Sequence, residues 1–207
     1  TVVNAGRPEI MFWGCELVDM EVYQRLGWAD IPLIGPGLGK RDWGYNLLKA
    51  TGLSNKPRVM DADALNLLAL EPTKQSNWVL TPHSGEAARL LGISIAEVEA
   101  DRFSAVYRLQ AKYGGVVVLK GAGTLIYDGK NCHVAPVGNP GLASGGSGDV
   151  LGGIIAALMA QGMSMMDAAS AGVVVHGVAA DFAAEKGERG MLACDLFEHI
   201  RALVDKI

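Results

Sequence analysis

The sequence predicts an α/β fold in which a mostly parallel central sheet is flanked by helices on both faces. Short apolar runs rich in β-branched residues alternate with longer helical segments, which is typical of parallel strands joined by crossover helices. Hydrophobic residues make up 50% of the 207 residues and charged residues 19%, so we expect a sizeable core. No break in composition and no internal repeat divides the chain, which indicates one domain over residues 1–207.

The first two thirds of the chain are predicted as alternating strands and helices. The strands are placed at residues 31–34, 58–60, 78–80 and 116–119. Helices are placed at residues 42–51, from about 62 to 70 and from about 85 to 91, with Gly52 and Gly92 as helix stops. Ser94 and Glu97 have the spacing of a capping box, which predicts one long helix toward Tyr113.

The last third is predicted to begin with a hairpin and to continue as helices. Residues 125–127 and 133–136 flank Asp128-Gly129, a dipeptide typical of tight turns. The helices are placed at residues 148–161, 165–184 and 194–206, and Ser164 and Asp167 are candidates to cap the middle one. The glycine-rich loops follow the C-terminal ends of predicted strands, the edge at which open α/β sheets bind ligands.

Charge, cysteine content and hydropathy narrow the function classes. The net charge is −4 and the chain has no Lys/Arg cluster, which argues against nucleic-acid binding. Cys15, Cys132 and Cys194 lie far apart and are odd in number, so they indicate neither a disulfide framework nor a zinc site. The longest apolar run, near residues 151–159, is too short to span a bilayer, and no signal-peptide pattern opens the chain. We therefore expect a cytoplasmic protein without a membrane partner.

One loop carries the strongest functional signal. Gly145, Gly146, Ser147 and Gly148 lead up to Asp149, and an apolar run follows at once. Such a loop predicts a helix N-terminus whose amides and dipole attract phosphate. Asp149 is then interpreted as a general base that removes a proton from a hydroxyl, although a carboxylate there can also simply stabilise the dipole. The density of glycine favours the base.

Two further glycine-rich loops follow predicted strands. Lys120 opens Gly121-Ala122-Gly123-Thr124, where a lysine would meet the phosphate of a nucleotide; the alternative is a hairpin corner with the lysine extended along the surface. Residues 35–39, Gly-Pro-Gly-Leu-Gly, could cradle phosphate or let a substrate lie against bare backbone, but they also suit a tight turn. They lack the ending of a Walker A loop.

Acidic residues and histidines at the strand ends have two interpretations each. Asp61 and Asp63 could reach Mg²⁺, but the favoured interpretation is that Asp61 caps the next helix and Asp63 adds charge to its first turn. His83 could donate to an anionic or amide group on a ligand, or be an ordinary polar residue. Glu86 is interpreted as complementing the helix dipole. The remaining histidines, which show no partner spacing, are predicted to be structural or surface residues: His133, His176 and His199.

Taken together, these motifs resemble a known family. The loop at residues 145–151 is similar to the anion hole and catalytic aspartate of ribokinase-like enzymes. With residues 35–39, 61–66, 82–86 and 120–124 in the same order, the chain from about Arg7 onward resembles the ADP/ATP-dependent (S)-NAD(P)H-hydrate dehydratase family. The resemblance implies a ribokinase-like catalytic domain.

This resemblance implies repair of hydrated NADH or NADPH, whose reduced ring carries an added hydroxyl. ADP, or ATP, with Mg²⁺ would phosphorylate that hydroxyl, and loss of phosphate would restore the ring; with ADP the products are AMP and phosphate. By analogy Asp149 is the base and contacts the substrate, together with Gly37, Gly39 and His83. The nucleotide would be held by Lys120, Gly121, Ala122, Gly123, Thr124, Gly145, Gly146, Ser147 and Gly148. No residue is assigned as a metal ligand, and a homo-oligomer, such as a tetramer, is expected.

The sequence departs from the family pattern in three respects. Family members begin with a strand and a Gly-rich loop, and we expect this chain to lack them. Ser147 stands where methionine is usual, and Gly152 where Ser or Thr is usual; because both are small and the backbone amides remain, we expect little change. Two alternatives stay open: a ribokinase-like kinase for a small alcohol such as a vitamin precursor, and a nucleotide-binding module without catalysis. Residues 61–66 and 82–86 favour the dehydratase over the kinase.

Overall fold

The computed structural model describes residues 9–205, whose strands form one six-stranded sheet with the strands in chain order. The strands are β1 (Leu33–Ile34), β2 (Arg58–Met60), β3 (Trp78–Leu80), β4 (Val116–Leu119), β5 (Thr124–Tyr127) and β6 (Cys132–Ala135). The first four run parallel, and β5 and β6 are added antiparallel. The mostly parallel sheet predicted from the sequence is confirmed.

The described helices follow the strands as crossovers and then form the last third of the chain. They are α1 (Met20–Trp28), α2 (Asp42–Leu53), α3 (Ala62–Leu70), α4 (Ser84–Leu91), α5 (Ile95–Ala100), α6 (Arg102–Tyr113), α7 (Ser147–Ala160), α8 (Met165–Ala184) and α9 (Phe197–Val204). Short 3₁₀ turns precede α7 and α9, at Pro140–Ala143 and Ala193–Leu196. Among residues 9–205, no helix is long and apolar enough to cross a bilayer.

Helices cover both faces of the sheet because its central strands are buried on both sides. Successive side chains of a strand point to opposite faces. Met60 and Val117 accordingly pack with residues of α3, α4 and α6. Their neighbours Val59 and Val118 pack with residues of α7 and α8. One hydrophobic core thus lies on each face of the sheet, which confirms the prediction of helices on both faces.

The parallel arrangement brings the functional loops to one edge of the sheet. Since β1 to β4 run in the same direction, the loops that follow them begin at the same edge. Hydrogen bonds hold the neighbouring strand ends together: the Asp61 amide donates to the Ile34 carbonyl (3.1 Å), and the Lys120 amide donates to the Pro82 carbonyl (2.9 Å). The start of α7 lies at the same edge, because Gly148 packs against side chains of the loops after β2 and β4.

The long helix predicted from Ser94 toward Tyr113 is wrong; the chain forms two helices there. The capping box itself is confirmed, since Ser94 accepts from the Glu97 amide and the Glu97 carboxylate accepts from the Ser94 amide. The break is at Asp101, whose backbone is not helical (φ −149°, ψ 85°) and whose side chain accepts from the Ser104 amide. Asp101 thus ends one helix and caps the next, which satisfies an otherwise unpaired amide.

Several predicted boundaries differ from the structure. The first predicted helix continues through Gly52 to Leu53, whereas Gly92 is a left-handed helix stop as predicted (φ 69°). The first strand covers only Leu33–Ile34 of the predicted residues 31–34. Helix α1, which Asp19 caps, is not predicted from the sequence. The start of the last predicted helix, at residue 194, lies in a 3₁₀ turn, and α9 begins only at Phe197; the predicted end at residue 206 lies outside the described residues.

The predicted hairpin and the cap of α8 are confirmed. Asp128 stabilises the turn between β5 and β6, because its carboxylate accepts from the amides of Lys130 and Asn131 (both 2.7 Å). Ser164 caps α8 by accepting from the Asp167 amide (3.1 Å). Both are local interactions of a kind that short sequence patterns specify.

Candidate functional site

An open cleft of about 890 Å³ lies at this edge of the sheet. Three of the predicted motifs meet there: residues 83–84, residues 120–124, and the residues that lead into α7. Apolar side chains of α7 and α8, Leu151 and Val173, form part of the wall. The full lining is residues 83–84, 120–124, 136–140, 142–144, 147–148, 151, 173 and 176–177. A cleft with apolar walls and a few convergent polar groups is the usual form of a small-molecule site.

The start of α7 offers unpaired amides to this cleft. Gly146 precedes the helix in the left-handed conformation (φ 86°), and the Val150 amide donates back to its carbonyl (3.1 Å). Between them, the amides of Gly148 and Asp149 have no acceptor within residues 9–205. Unpaired amides at a helix start form an anion site, reinforced by the helix dipole. Asp149 is the third residue of α7 and is exposed, at the place predicted for a base.

Beneath the start of α7, one ammonium group lies between two buried carboxylates. Lys120 Nζ is 2.8 Å from Asp61 Oδ1 and 3.9 Å from Glu86 Oε2. The carboxylates are buried, whereas Lys120 keeps part of its side chain exposed to the cleft. A Cβ atom on Gly148 would lie 3.2 Å from both Lys120 Nζ and Asp61 Oδ2. Residues from the loops after β2 and β4, from α4 and from α7 therefore meet at one point.

The structure assigns Asp61 a different role from the favoured prediction. Its side chain makes no capping hydrogen bond to α3 and instead binds Lys120. The next residue, Ala62, has a positive φ of 48°, a conformation unfavourable for a residue with a Cβ atom. Gly35 packs directly on the Asp61 carbonyl and has no room for a Cβ atom. This loop is therefore tightly constrained.

Asp63 connects the predicted substrate loop to the same edge. Its Oδ2 accepts from the Gly39 amide (3.0 Å), and its Oδ1 accepts from the Asn66 side chain (3.1 Å). Gly37 and Gly39 are exposed and do not line the cleft, so the structure does not bring these two predicted substrate contacts to it. No three His, Cys, Asp or Glu side chains of the described segment are grouped so as to hold a metal ion.

Glu86 is more than a dipole-complementing residue, which corrects the prediction. Its side chain is only 6% exposed and accepts from the His83 amide (2.8 Å). Burial raises the pKa of Glu86 above its ordinary value, although the charge of Lys120 acts in the opposite direction. This burial could not be predicted from the sequence, because a glutamate in a first helical turn is commonly exposed.

His83 caps α4 and lines the cleft. Its Nδ1 caps α4 by accepting from the amides of Gly85 (2.9 Å) and Glu86 (3.3 Å). A neutral imidazole that accepts at Nδ1 carries its proton on Nε2, so this tautomer follows from the cap. Nε2 lies 3.5 Å from Glu86 Oε1, and half of the side chain is exposed at the cleft. The contact of His83 with an anionic or amide group of a ligand stays a prediction.

His176 is a site residue that the sequence analysis missed. It lies on α8, is buried and lines the cleft. Its Nε2 is 3.0 Å from the Ser147 carbonyl and 3.2 Å from Ser147 Oγ. Burial, with a smaller effect of the Lys120 charge, lowers its pKa to about 4, so the ring is neutral and donates to the carbonyl. His133, exposed and bonded to Ser170, and His199, beside Glu198, lie outside the cleft lining.

The predicted nucleotide residues are largely brought together. The lining includes residues 120–124, Ser147 and Gly148, while Gly145 and Gly146 are exposed beside it. Asp149 follows Gly148 directly without lining the cleft in its present side-chain position. The arrangement suits a phosphate group that sits at the start of α7 between a carboxylate and an ammonium group.

Comparison with known proteins identifies the family. The sequence model of the NAD(P)H-hydrate dehydratase family matches residues 1–202. The bifunctional NAD(P)H-hydrate repair enzyme Nnr of Coxiella burnetii is 53% identical over 206 residues; the match covers 99% of this chain and 42% of that protein. The chain thus spans less than half the length of this curated relative.

Two solved structures share the fold. A ribokinase-like superfamily protein of Enterococcus faecalis is 29% identical with a TM-score of 0.80, and the match covers 90% of this chain and 66% of that one. The ADP/ATP-dependent NAD(P)H-hydrate dehydratase of Bacillus subtilis, crystallised with ATP and Mg²⁺, is 26% identical with a TM-score of 0.76, covering 89% and 69%. The ribokinase-like fold expected from the sequence is thereby confirmed. With its sheet edge, its glycine-rich helix start and these matches, the chain belongs to the NAD(P)H-hydrate dehydratase family.

Proposed function

We propose that this chain catalyses the nucleotide-dependent dehydration of hydrated NADH or NADPH. The observation that carries the proposal is the meeting of Lys120, Asp61 and Gly148 at the start of α7, one residue before Asp149. Membership of the dehydratase family supports the choice of substrate. ADP is the preferred donor in the proposal, with AMP and phosphate as products, and ATP is the alternative donor.

The cleft would hold the nucleotide. Its phosphates would lie against residues 120–124 and the free amides of Gly148 and Asp149, while Leu151 and Val173 would provide an apolar wall. Lys120 is tied to Asp61, so its ammonium group is fixed in place rather than flexible. A fixed positive charge and fixed amides stabilise a transferring phosphoryl group without reorganising during the reaction.

Asp149 would act as the base for the ring hydroxyl. It takes the hydroxyl proton as the oxygen attacks the terminal phosphorus atom, and AMP leaves with the bridging oxygen when ADP is the donor. Phosphate then departs with its bonding electron pair, the adjacent ring carbon loses a proton, and the ring double bond forms again. Gly37, Gly39 and the Nε2–H of His83 would contact the hydrated cofactor.

Mg²⁺ fits this site as part of the nucleotide rather than as a resident ion. The described residues group no three metal-binding side chains. Asp149 is exposed at the start of α7, and Asp61 is engaged with Lys120. Mg²⁺ commonly keeps several waters and binds through substrate phosphates and one or two carboxylates, so it would enter the cleft with the nucleotide. When bound, Mg²⁺ would neutralise charge on the phosphates.

The direct test is to incubate the protein with hydrated NADH, Mg²⁺ and ADP or ATP, and to follow the return of dihydronicotinamide absorbance. The proposal predicts recovery that depends on nucleotide and is accompanied by release of phosphate in equal amount. A control without protein sets the spontaneous rate. Absence of recovery with either nucleotide, from folded protein, would contradict the proposal.

The two alternative functions predict different results in this assay and in a measurement of ADP binding. A ribokinase-like kinase for a small alcohol would consume nucleotide only with its own substrate and would leave a stable phosphate ester. A nucleotide-binding module would bind ADP, as measured by calorimetry, without consuming it. Either outcome replaces the dehydratase proposal.

A further inference from the structure

Arg102 lies beneath the nucleotide-facing loop and holds its backbone. It is the first residue of α6, and its side chain is 15% exposed. Its Nη2 donates to the carbonyls of Leu119 (3.1 Å) and Lys120 (3.4 Å), where β4 ends and the loop begins. The planar guanidinium group can satisfy two carbonyls at once, which the point charge of a lysine cannot do in the same way.

Gly121 is adapted to this arginine. The Arg102 guanidinium group occupies the place that a Cβ atom at residue 121 would take, and Gly121 has a positive φ of 149°. From the sequence alone, this glycine is predicted to allow close approach of a nucleotide. The structure adds a second reason: a Cβ atom at this position would have to displace the Arg102 guanidinium group and would be strained at this φ.

Glu99 links Arg102 to the opposite side of the cleft. Glu99 Oε1 is 3.3 Å from Arg102 Nη1 and also accepts a hydrogen bond from Ser84 Oγ. Ser84 lines the cleft beside His83, the predicted substrate contact. The pair of Glu99 and Arg102 therefore underlies both the loop after β3 and the loop after β4.

We propose that Arg102, oriented by Glu99, is a positioning residue that fixes residues 120–124 for binding of the nucleotide's phosphates. The identity of the ligand rests on the function proposed above, whereas the contacts of Arg102 with the loop are observed independently of that function. Arg102 makes its bonds to backbone carbonyls, so it acts through the loop rather than by contact with the reacting atoms. The positive charge of Arg102 is partly buried under a loop that would meet the nucleotide's phosphates. Because water screens a partly buried charge less, its attraction for the phosphates is stronger than that of an exposed arginine.

Two substitutions and one matched control test the role. Arg102→Gln removes the charge and the fork of donors, and Arg102→Lys keeps the charge only. Arg108→Gln is the control, since Arg108 lies exposed on the same helix. We expect the Kd for ADP, measured by calorimetry without substrate, to rise about tenfold or more in Arg102→Gln. The increase should be smaller in Arg102→Lys, and the KM for hydrated NADH should stay within about twofold of wild type.

Hydrogen exchange followed by mass spectrometry keeps the test independent of turnover. Arg102→Gln should speed exchange in peptides covering residues 119–124, while peptides from α7 and α8 keep wild-type rates. Faster exchange throughout the protein, or equal weakening of ADP and substrate binding, would indicate a merely structural role and overturn the proposal. Wild-type affinity for ADP in folded Arg102→Gln would overturn it as well.

Failure of the proposed function would give a different result. In that case wild-type protein would not restore NADH from its hydrate, whether or not it binds ADP, and the exchange rates of residues 119–124 would still decide whether Arg102 fixes this loop. Glu99→Gln provides the second variant if Arg102→Gln does not fold. It should speed exchange of the same loop to a smaller extent, because Arg102 keeps its carbonyl contacts; no local change in this variant would contradict the orienting role of Glu99.

Discussion

Replacing Gly148 with alanine tests the close packing at the start of α7. The added methyl group would lie 3.2 Å from both Lys120 Nζ and Asp61 Oδ2, closer than an ordinary contact. Gly148 lies within α7 and its φ is not positive, so the backbone itself tolerates alanine. The methyl group must therefore displace the ion pair or shift the helix start by a few tenths of an ångström. Gly153→Ala is a matched control, because it lies on the same helix with no atom within 4 Å of its Cβ position.

The two alanines should have different effects on stability and activity. In the control, alanine should stabilise the helix by about 0.5–1 kcal/mol. At residue 148 the same gain is offset by overpacking, which costs roughly 1–3 kcal/mol, so the net change should be between zero and about 2.5 kcal/mol of destabilisation. Displacing the phosphate-facing amides should lower kcat/KM by about tenfold or more, whereas Gly153→Ala should leave it unchanged.

Urea unfolding and the absorbance assay measure these effects in parallel. The expected pattern is a loss of kcat/KM of about tenfold or more with moderate destabilisation in Gly148→Ala, and unchanged kcat/KM with a gain of about 0.5–1 kcal/mol in stability in Gly153→Ala. Wild-type kcat/KM in folded Gly148→Ala would refute the idea that this glycine keeps the start of α7 clear for phosphate and for the ion pair. Equal loss of activity in both variants would refute it as well.

Two further predictions concern buried titratable groups. The pKa of His176 is lowered to about 4, so the unfolded chain binds more protons than the folded one below the ordinary value of 6.5. The free energy of unfolding of the wild type, measured by urea titration, should therefore fall by about 2 kcal/mol between about pH 7.5 and about pH 5. The free energy of unfolding of His176→Asn should fall less over the same pH range. The pKa of Glu86 is raised by burial, so its protonated form is favoured by folding and its contribution to stability is lost as the pH rises through the folded pKa. Glu86→Gln should then be more stable than wild type at neutral pH and lose this advantage in acid; equal pH dependence of both proteins would contradict the burial effect.

Local patterns in the sequence predicted the parts of the fold that local physics specifies. The capping box at Ser94, the turn at Asp128 and the cap at Ser164 each depend on residues no more than three positions apart. The strand–loop–helix alternation predicted the sheet edge, and with it the meeting of Lys120 and Gly148. These features follow from turn chemistry and from the direction of parallel strands.

Other features depend on contacts between distant residues, which one sequence does not specify. Asp61 caps no helix because Lys120, 59 positions away, takes its carboxylate. His176 joins the site only because α8 packs on the start of α7, 29 positions earlier. The burial of Glu86 and the contact of Arg102 with the end of β4 are likewise products of packing. Periodicity and motif spacing carry no information about such pairs.

Nucleotide binding and turnover in Asp149→Asn test the assignment of the base most directly. Asp167→Asn is the matched control, since Asp167 is also the third residue of its helix but has no cleft-lining residue beside it, whereas Asp149 directly follows Gly148. We expect Asp149→Asn to bind ADP with near wild-type affinity and to fail to restore NADH from its hydrate, whereas Asp167→Asn should bind ADP and restore NADH. Wild-type turnover in folded Asp149→Asn would contradict the assignment of this carboxylate as the base.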